Sequence, residues 1–105
     1  MVTKTTLYKK IRARLKSIHK NRLRGIVLYG SEARGDARSD SDIDLLVLLE
    51  EPIELGRDME ANLTALYPLS IEVGRRISAK PVGSESYEKY DCPLHRNAHR
   101  EGILL

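Results

Sequence analysis

Asp42 and Asp44 stand at the head of the longest apolar run in the chain, Leu45 to Leu49, and this arrangement constrains the fold more than any other feature. A strand through residues 43–49 alternates its side chains, so the two carboxylates share one face while Ile43 points to the other. Hard divalent cations take oxygen ligands, and Mg²⁺ is usually held by one or two carboxylates together with substrate phosphates. Upstream, the β-rich run Ile26–Tyr29 ends at Gly30-Ser31, a turn that offers backbone N–H groups and a hydroxyl to an anion. One short segment thus carries both halves of a metal-nucleotide site.

The rest of the chain supplies a scaffold. Leu7, Ile11, Leu15 and Ile18 recur at helical spacing below threonines that serve as caps, which predicts an amphipathic helix over 5–20. A short helix over 31–34 follows the Gly-Ser turn, with its N-terminus toward the phosphates. A loop over 35–41 then leads into the second strand. Leu55, Met59, Leu63 and Leu66 predict a second long helix over 53–67 that closes at Pro68. Leu69, Ile71 and Val73 alternate with Ser70, Glu72 and Gly74, the pattern of a third strand with one polar face. A loop over 78–83 and one or two short helices over 84–101, broken near Cys92-Pro93, complete the order. Alternating helices and strands of this kind imply an α/β fold, a small mixed β-sheet with helices packed against it.

Composition narrows the function. The 105 residues suffice for a single domain with one modest core, and they leave no room for a separate acceptor-binding domain. The net charge of +3 conceals an asymmetry: residues 1–24 hold nine Lys and Arg and no acid, whereas the remaining 81 hold nine basic and fifteen acidic groups. Such an arm suits an acidic partner or a solvated helix face, and the lack of interleaved aromatics argues against direct nucleic-acid binding. The one cysteine, Cys92, excludes an intramolecular disulfide and fits a reducing compartment. With no apolar leader at the N-terminus and no run long enough to span a bilayer, a cytoplasmic location without membrane association is expected.

Gly30-Ser31, ten intervening residues and then Asp42-x-Asp44 resembles the signature of the DNA polymerase β-like nucleotidyltransferases. Ala33-Arg34-Gly35 and Ser41-Asp42-x-Asp44-Leu45 are similar, more narrowly, to the minimal nucleotidyltransferases, and so is the tail from Pro93 to Leu105. The resemblance implies a nucleotidyltransferase fold, ATP as substrate and two Mg²⁺ ions. It also implies a HEPN-domain toxin, encoded nearby, whose tyrosine accepts the nucleotide, so that this chain acts as antitoxin. Asp42 and Asp44 are then metal ligands, Gly30 admits the triphosphate, and Ser31 and Arg34 contact its phosphates. The family places a third carboxylate, more often Asp, on the next core strand, a position that the expected third strand gives to Glu72. The alternative is a degenerate domain that neutralises a partner by binding alone, and a stand-alone enzyme for a small molecule or RNA end is a third reading. Oligomers are compatible with all three.

Arg38, Glu32 and Asp36 are expected on the solvated surface, and Tyr87 and Tyr90 partly in the core. Cys92, His95 and His99 have metal-like spacing but lack a fourth ligand, so no zinc site is expected.

Overall fold

The computed structural model describes residues 3–35, 37–38, 41–89 and 93–105, with the side chains of 93 and 94 excepted. Thr3 caps the first helix, α1 (Lys4–His19), by accepting a hydrogen bond from the Thr6 N–H at 3.2 Å. Its buried row is Leu7, Ile11, Leu15 and His19, a strict four-residue repeat, and Ile18 faces solvent. His19 can end that row because Asn62 answers it: the imidazole Nε2 lies 2.6 Å from Asn62 Oδ1, and Asn62 donates in turn to the Ala79 carbonyl. A buried polar pair with its hydrogen bonds made is compatible with a core position.

A 3₁₀ turn (Lys20–Arg22) leads into β1 (Leu23–Tyr29), followed by the four-residue α2 (Ser31–Arg34) and β2 (Ile43–Leu49). Strand β1 runs antiparallel to β2, with Tyr29 opposite Asp44. Leu45 to Leu49 are all buried because α1 and a second long helix cover one face of β2 while Val82, Tyr87 and Ala98 cover the other. A strand covered on both faces reads as an unbroken apolar run, as here.

The second long helix, α3, runs Leu55–Val73, longer than the sequence pattern suggests. Pro68 lies inside it, and the expected third strand over residues 69–73 is its last turn and a half. Leu66, Leu69 and Val73 continue the core row of Asn62 at helical spacing, whereas Ile71 is exposed, so the short alternation is incidental. The helix ends at Gly74, in the left-handed region at φ +70°, whose N–H bonds the Ser70 carbonyl at 3.0 Å. A glycine in this conformation is the usual helix stop.

The true third strand is β3 (Ile77–Gly83), the segment expected to be a loop. It runs parallel to β2, and Pro81 fits because β3 is an edge strand in the order β3-β2-β1-β4. Helices α4 (Ser84–Glu88) and α5 (Pro93–Glu101) precede β4 (Ile103–Leu104), which pairs antiparallel to β1. The sheet is therefore mixed, as the α/β reading requires. Among the described residues no helix is long and apolar enough to cross a membrane.

Candidate active site

The antiparallel pairing of β1 with β2 folds the Gly-Ser turn back onto the aspartates. Gly30 shows how closely: a Cβ built on it would lie 2.8 Å from Asp44 Oδ2. Its backbone, at φ +75° and ψ −154°, belongs to a region that only glycine occupies at low cost. From the motif, Gly30 is expected to leave room for phosphates; the structure adds that it leaves room for the Asp44 carboxylate. Gly30→Ala is expected to cost about 1–3 kcal/mol of stability from backbone strain and to displace Asp44. Urea unfolding read beside nucleotide transfer checks this, and full activity in a folded variant would break the link between turn and carboxylate.

Asp42 is exposed and Asp44 half-buried. Burial, and next the charge of Asp42, push the Asp44 carboxyl above the ordinary carboxylate range, while Arg76 draws it back in part. A pair of carboxylates in this state gains from a cation between them. Ser31 opens α2, and its N-cap, Gly30, has no side chain to occupy the leading N–H groups, the kind of donors that suit an anion. Arg34, on the same short helix, lies 3.7 Å from the Glu101 carboxylate at the end of α5.

Glu72 is elsewhere. It sits near the end of α3, where its carboxylate accepts a hydrogen bond from Lys10 of α1 at 2.9 Å. The strand beside β2 is β3, which contains no acid, and the residue across from Asp44 is Ser78. Among the described residues no third carboxylate, histidine or cysteine joins Asp42 and Asp44 in a metal-binding group. Asp36 and Asp40 lie outside those residues. The donor set on view, two carboxylates and open phosphate donors, fits one Mg²⁺ shared with a nucleotide.

Two residues that sequence reasoning left out of the site hold its parts together. Glu32, expected at the solvated surface, is buried: its carboxylate lies 2.5 Å from Arg75 Nη2 and 3.4 Å from Lys4 Nζ. Charge rather than an aligned hydrogen bond binds Glu32 to Arg75. Arg75 Nε also donates to the Ser41 carbonyl at 2.9 Å, and its own carbonyl accepts from Ser70 Oγ. Arg75 thus links the residue after Ser31 to the residue before Asp42. The signal available in the sequence was the helix stop Gly74, which places Arg75 just beyond α3 and beside the start of β2.

Arg38 is exposed, and its N–H donates to Ser41 Oγ at 2.9 Å. Asp36, Tyr90 and Cys92 lie outside the described residues, whereas Tyr87 is core, stacked on His99 with ring centroids 4.0 Å apart. His95 packs at a tilt against the same ring.

Residues 8–93 match the family model of the nucleotidyltransferase domain. A Methanocaldococcus jannaschii protein named as an inferred protein adenylyltransferase is 34% identical over 92 residues, covering 87% of this chain and 86% of that protein. Among solved structures, a toxin–antitoxin bound to AMP-PNP superposes with a TM-score of 0.66 at 22% identity, covering 91% of this chain and 69% of that one. The Enterococcus faecialis spectinomycin adenyltransferase, solved with ATP and spectinomycin, gives 0.61 at 21% identity over 85% of this chain and 45% of its own. The structural likenesses carry the fold, the sequence matches carry descent, and together with the turn-and-aspartate geometry they make this chain a member of the nucleotidyltransferase domain family.

Proposed function

We propose that the chain is an Mg²⁺-dependent adenylyltransferase that moves AMP from ATP to a hydroxyl, the tyrosine of a HEPN-domain toxin, and so acts as its antitoxin. The single observation that carries the reading is the close approach of Gly30 to the Asp44 carboxylate, as a site with phosphate donors beside cation ligands requires. Toxin–antitoxin structures among those of the same fold, and the protein adenylyltransferase name of a relative, support the choice of acceptor. In the reaction the acceptor oxygen bonds to the α-phosphorus, the bond from that phosphorus to the bridging oxygen breaks, and pyrophosphate leaves with the electron pair. The hydroxyl proton passes to solvent.

Asp42 and Asp44 hold the cation, the α2 N-terminus and Ser31 hold phosphate oxygens, and Arg75 keeps the two segments in register. Mg²⁺, when bound, neutralises phosphate charge as a Lewis acid. Arg34 joins the phosphate contacts by exchanging Glu101 for the triphosphate. The exposed Lys9, Arg12, Arg14 and Lys16 on α1 offer an acidic partner a steering surface, which reversal of these charges and a salt series would test. Lys10 is engaged with Glu72 and takes less part.

The binding-module alternative has its own support in Ser78, which leaves the metal pair without a third carboxylate on β3. Incubation with labelled ATP, Mg²⁺ and a co-expressed HEPN-domain protein separates the two: label on the partner supports transfer, and a tight unlabelled complex supports occlusion. Ser78→Asp is expected to raise transfer on the order of tenfold, one further charged ligand contributing about 1.4 kcal/mol to the transition state. Glu72→Gln should leave it unchanged. A loss of transfer in Glu72→Gln, with no response in Ser78→Asp, would return the third carboxylate to Glu72.

A further inference from the structure

The sheet sets the side of the aspartate pair from which an acceptor enters. In the order β3-β2-β1-β4, the carboxylates at the head of β2 have the Gly-Ser turn and α2 on one flank and β3 on the other. In nucleotidyl transfer the attacking and leaving oxygens lie roughly in line through the phosphorus. With phosphate oxygens held at the end of β1, the leaving group departs over that flank and the acceptor hydroxyl approaches over β3. There β3 presents a cation and a hydroxyl. Ile77 pairs with Ile43, and both are buried on the face that α1 and α3 cover, so alternation turns Arg76 and Ser78 to the opposite face, that of Asp42 and Asp44. The Arg76 carbonyl accepts the Ile43 N–H at 2.8 Å, which extends the parallel ladder to Arg76 and sets it level with Asp42. Arg76 is exposed, lies within electrostatic reach of the Asp44 carboxylate and has no ion-pair partner among the described residues. Lys80, next on the same face, is level with Leu46 and lines a separate groove with Glu51 and Gly83.

We infer that Arg76 is the acceptor-side cation of this site, placed against the acceptor oxygen, where it favours the ionised hydroxyl and so selects a phenol over an aliphatic alcohol. This rests on the transferase reading and ties its acceptor to residues of this chain. A carboxylate on β3 would help to strip the proton from a weakly acidic alcohol, as a general base or by binding a further cation. Among the described residues no such group stands there. A tyrosine phenol needs it less, with a pKa of about 10 against about 16 for water, which an aliphatic hydroxyl resembles. An opposite charge within about 4–6 Å favours the ionised form of an acid by about 1–3 pKa units. That shift makes phenolate available near neutral pH and leaves an aliphatic alcohol almost wholly protonated. The surroundings suit the ring as well. Arg76 and Ser78 border a groove of about 450 Å³ whose other wall includes Met59, Leu63 and Tyr67, so an apolar side adjoins a polar end, as an amphipathic phenol requires. In the step, the phenol proton has passed to solvent, the phenolate oxygen bonds to the α-phosphorus, and pyrophosphate leaves with the electron pair of the broken bridge.

Transfer of labelled AMP to the co-expressed partner, followed from about pH 6 to about pH 10, tests this. Arg76→Gln is expected to lower transfer about tenfold at neutral pH and to move the rise of kcat/KM with pH upward by about one unit. At the alkaline end, where the phenol ionises unaided, the variant should approach the wild-type rate. Arg76→Lys should keep most of the wild-type profile and Lys80→Gln all of it, each with unchanged circular dichroism. A second readout needs no turnover. With fluorotyrosine at the labelled position of the partner and a non-hydrolysable ATP analogue in the site, the fluorine resonance should titrate about one unit higher in the Arg76→Gln complex than in the wild type. Equal pH profiles, or equal fluorine titrations, overturn the inference and leave the transferase reading intact. A loss in Arg76→Gln that is the same at every pH marks a structural or phosphate-binding role and overturns it too. So does wild-type transfer at a comparable rate to a partner with serine in place of that tyrosine. If the wild type transfers nothing at any pH, the transferase reading fails and this inference with it.

Discussion

Asp44→Asn is expected to lower nucleotidyl transfer by on the order of 10³-fold or more and, in the same protein, to raise the melting temperature. The loss follows from the carboxylate's role as a cation ligand, because a metal-bound transition state draws several kcal/mol from its cation, and each 1.4 kcal/mol is about a factor of ten in rate. Asp42→Asn should act in the same direction. The gain in stability follows from the site's electrostatics. Burial and the adjacent Asp42 raise the Asp44 pKa in the folded state, so between its ordinary value and the raised one the folded chain holds a proton that the unfolded chain has released. Stability contributed by this group therefore falls as pH rises through that window and stays lowered at neutral pH. Asn removes the cost. Cation binding runs the other way, because the carboxylate must be ionised to serve as a ligand, so Mg²⁺ affinity should rise with pH across the same window. Calorimetric titration of Mg²⁺ against pH, with melting curves of wild type and variant, measures both. A destabilised Asp44→Asn with normal transfer would mean that the carboxylate is structural and the site assignment wrong.

Arg75→Met should be the most destabilising single change outside the apolar core. Glu32 is 2% exposed in its side chain, Arg75 is 15% exposed, and the only other cation near Glu32 among the described residues is the exposed Lys4. Removing Arg75 leaves a buried carboxylate nearly alone, a situation that costs about 3–5 kcal/mol. For a domain of this size that corresponds to a fall in melting temperature of roughly 12 °C or more. The double variant Glu32→Gln with Arg75→Met should regain most of the loss, since no charge is then left unpaired. Transfer in that double variant distinguishes support from bulk stability. It folds, but its Ser41 carbonyl has lost the Arg75 donor, so the KM for ATP should remain elevated. A single variant within about 1 kcal/mol of wild type would show the pair to be solvated in solution.

The residues that drove the functional reading are local. The period of two in β2 puts Asp42 and Asp44 on one face and the Gly30-Ser31 turn ends β1, both local features, whereas their meeting requires β1 to pair with β2. The long helices were legible for the same reason, because a run of apolar residues three and four apart needs only a surface to lie on. Errors arose where two periods agree over a short span. Leu69, Ile71 and Val73 satisfy a strand, while Leu66, Leu69 and Val73 satisfy a helix. Packing against β2 and β3 selected the helix, at the expense of exposing Ile71. That outcome moved Glu72 away from the aspartates and brought Ser78 opposite Asp44.

A few consecutive residues carry the chemistry available to the turn and to the two aspartates, because backbone conformation and side-chain alternation are local properties. Long-range packing set the rest, namely that β3 lies beside β2, that Glu32 is buried and that Arg75 bridges it to Ser41. Each of those facts depends on strand pairing or on a charge partner 30 or more positions away, and the energy that fixes them, desolvation offset by a specific contact, exists only after the chain has closed on itself.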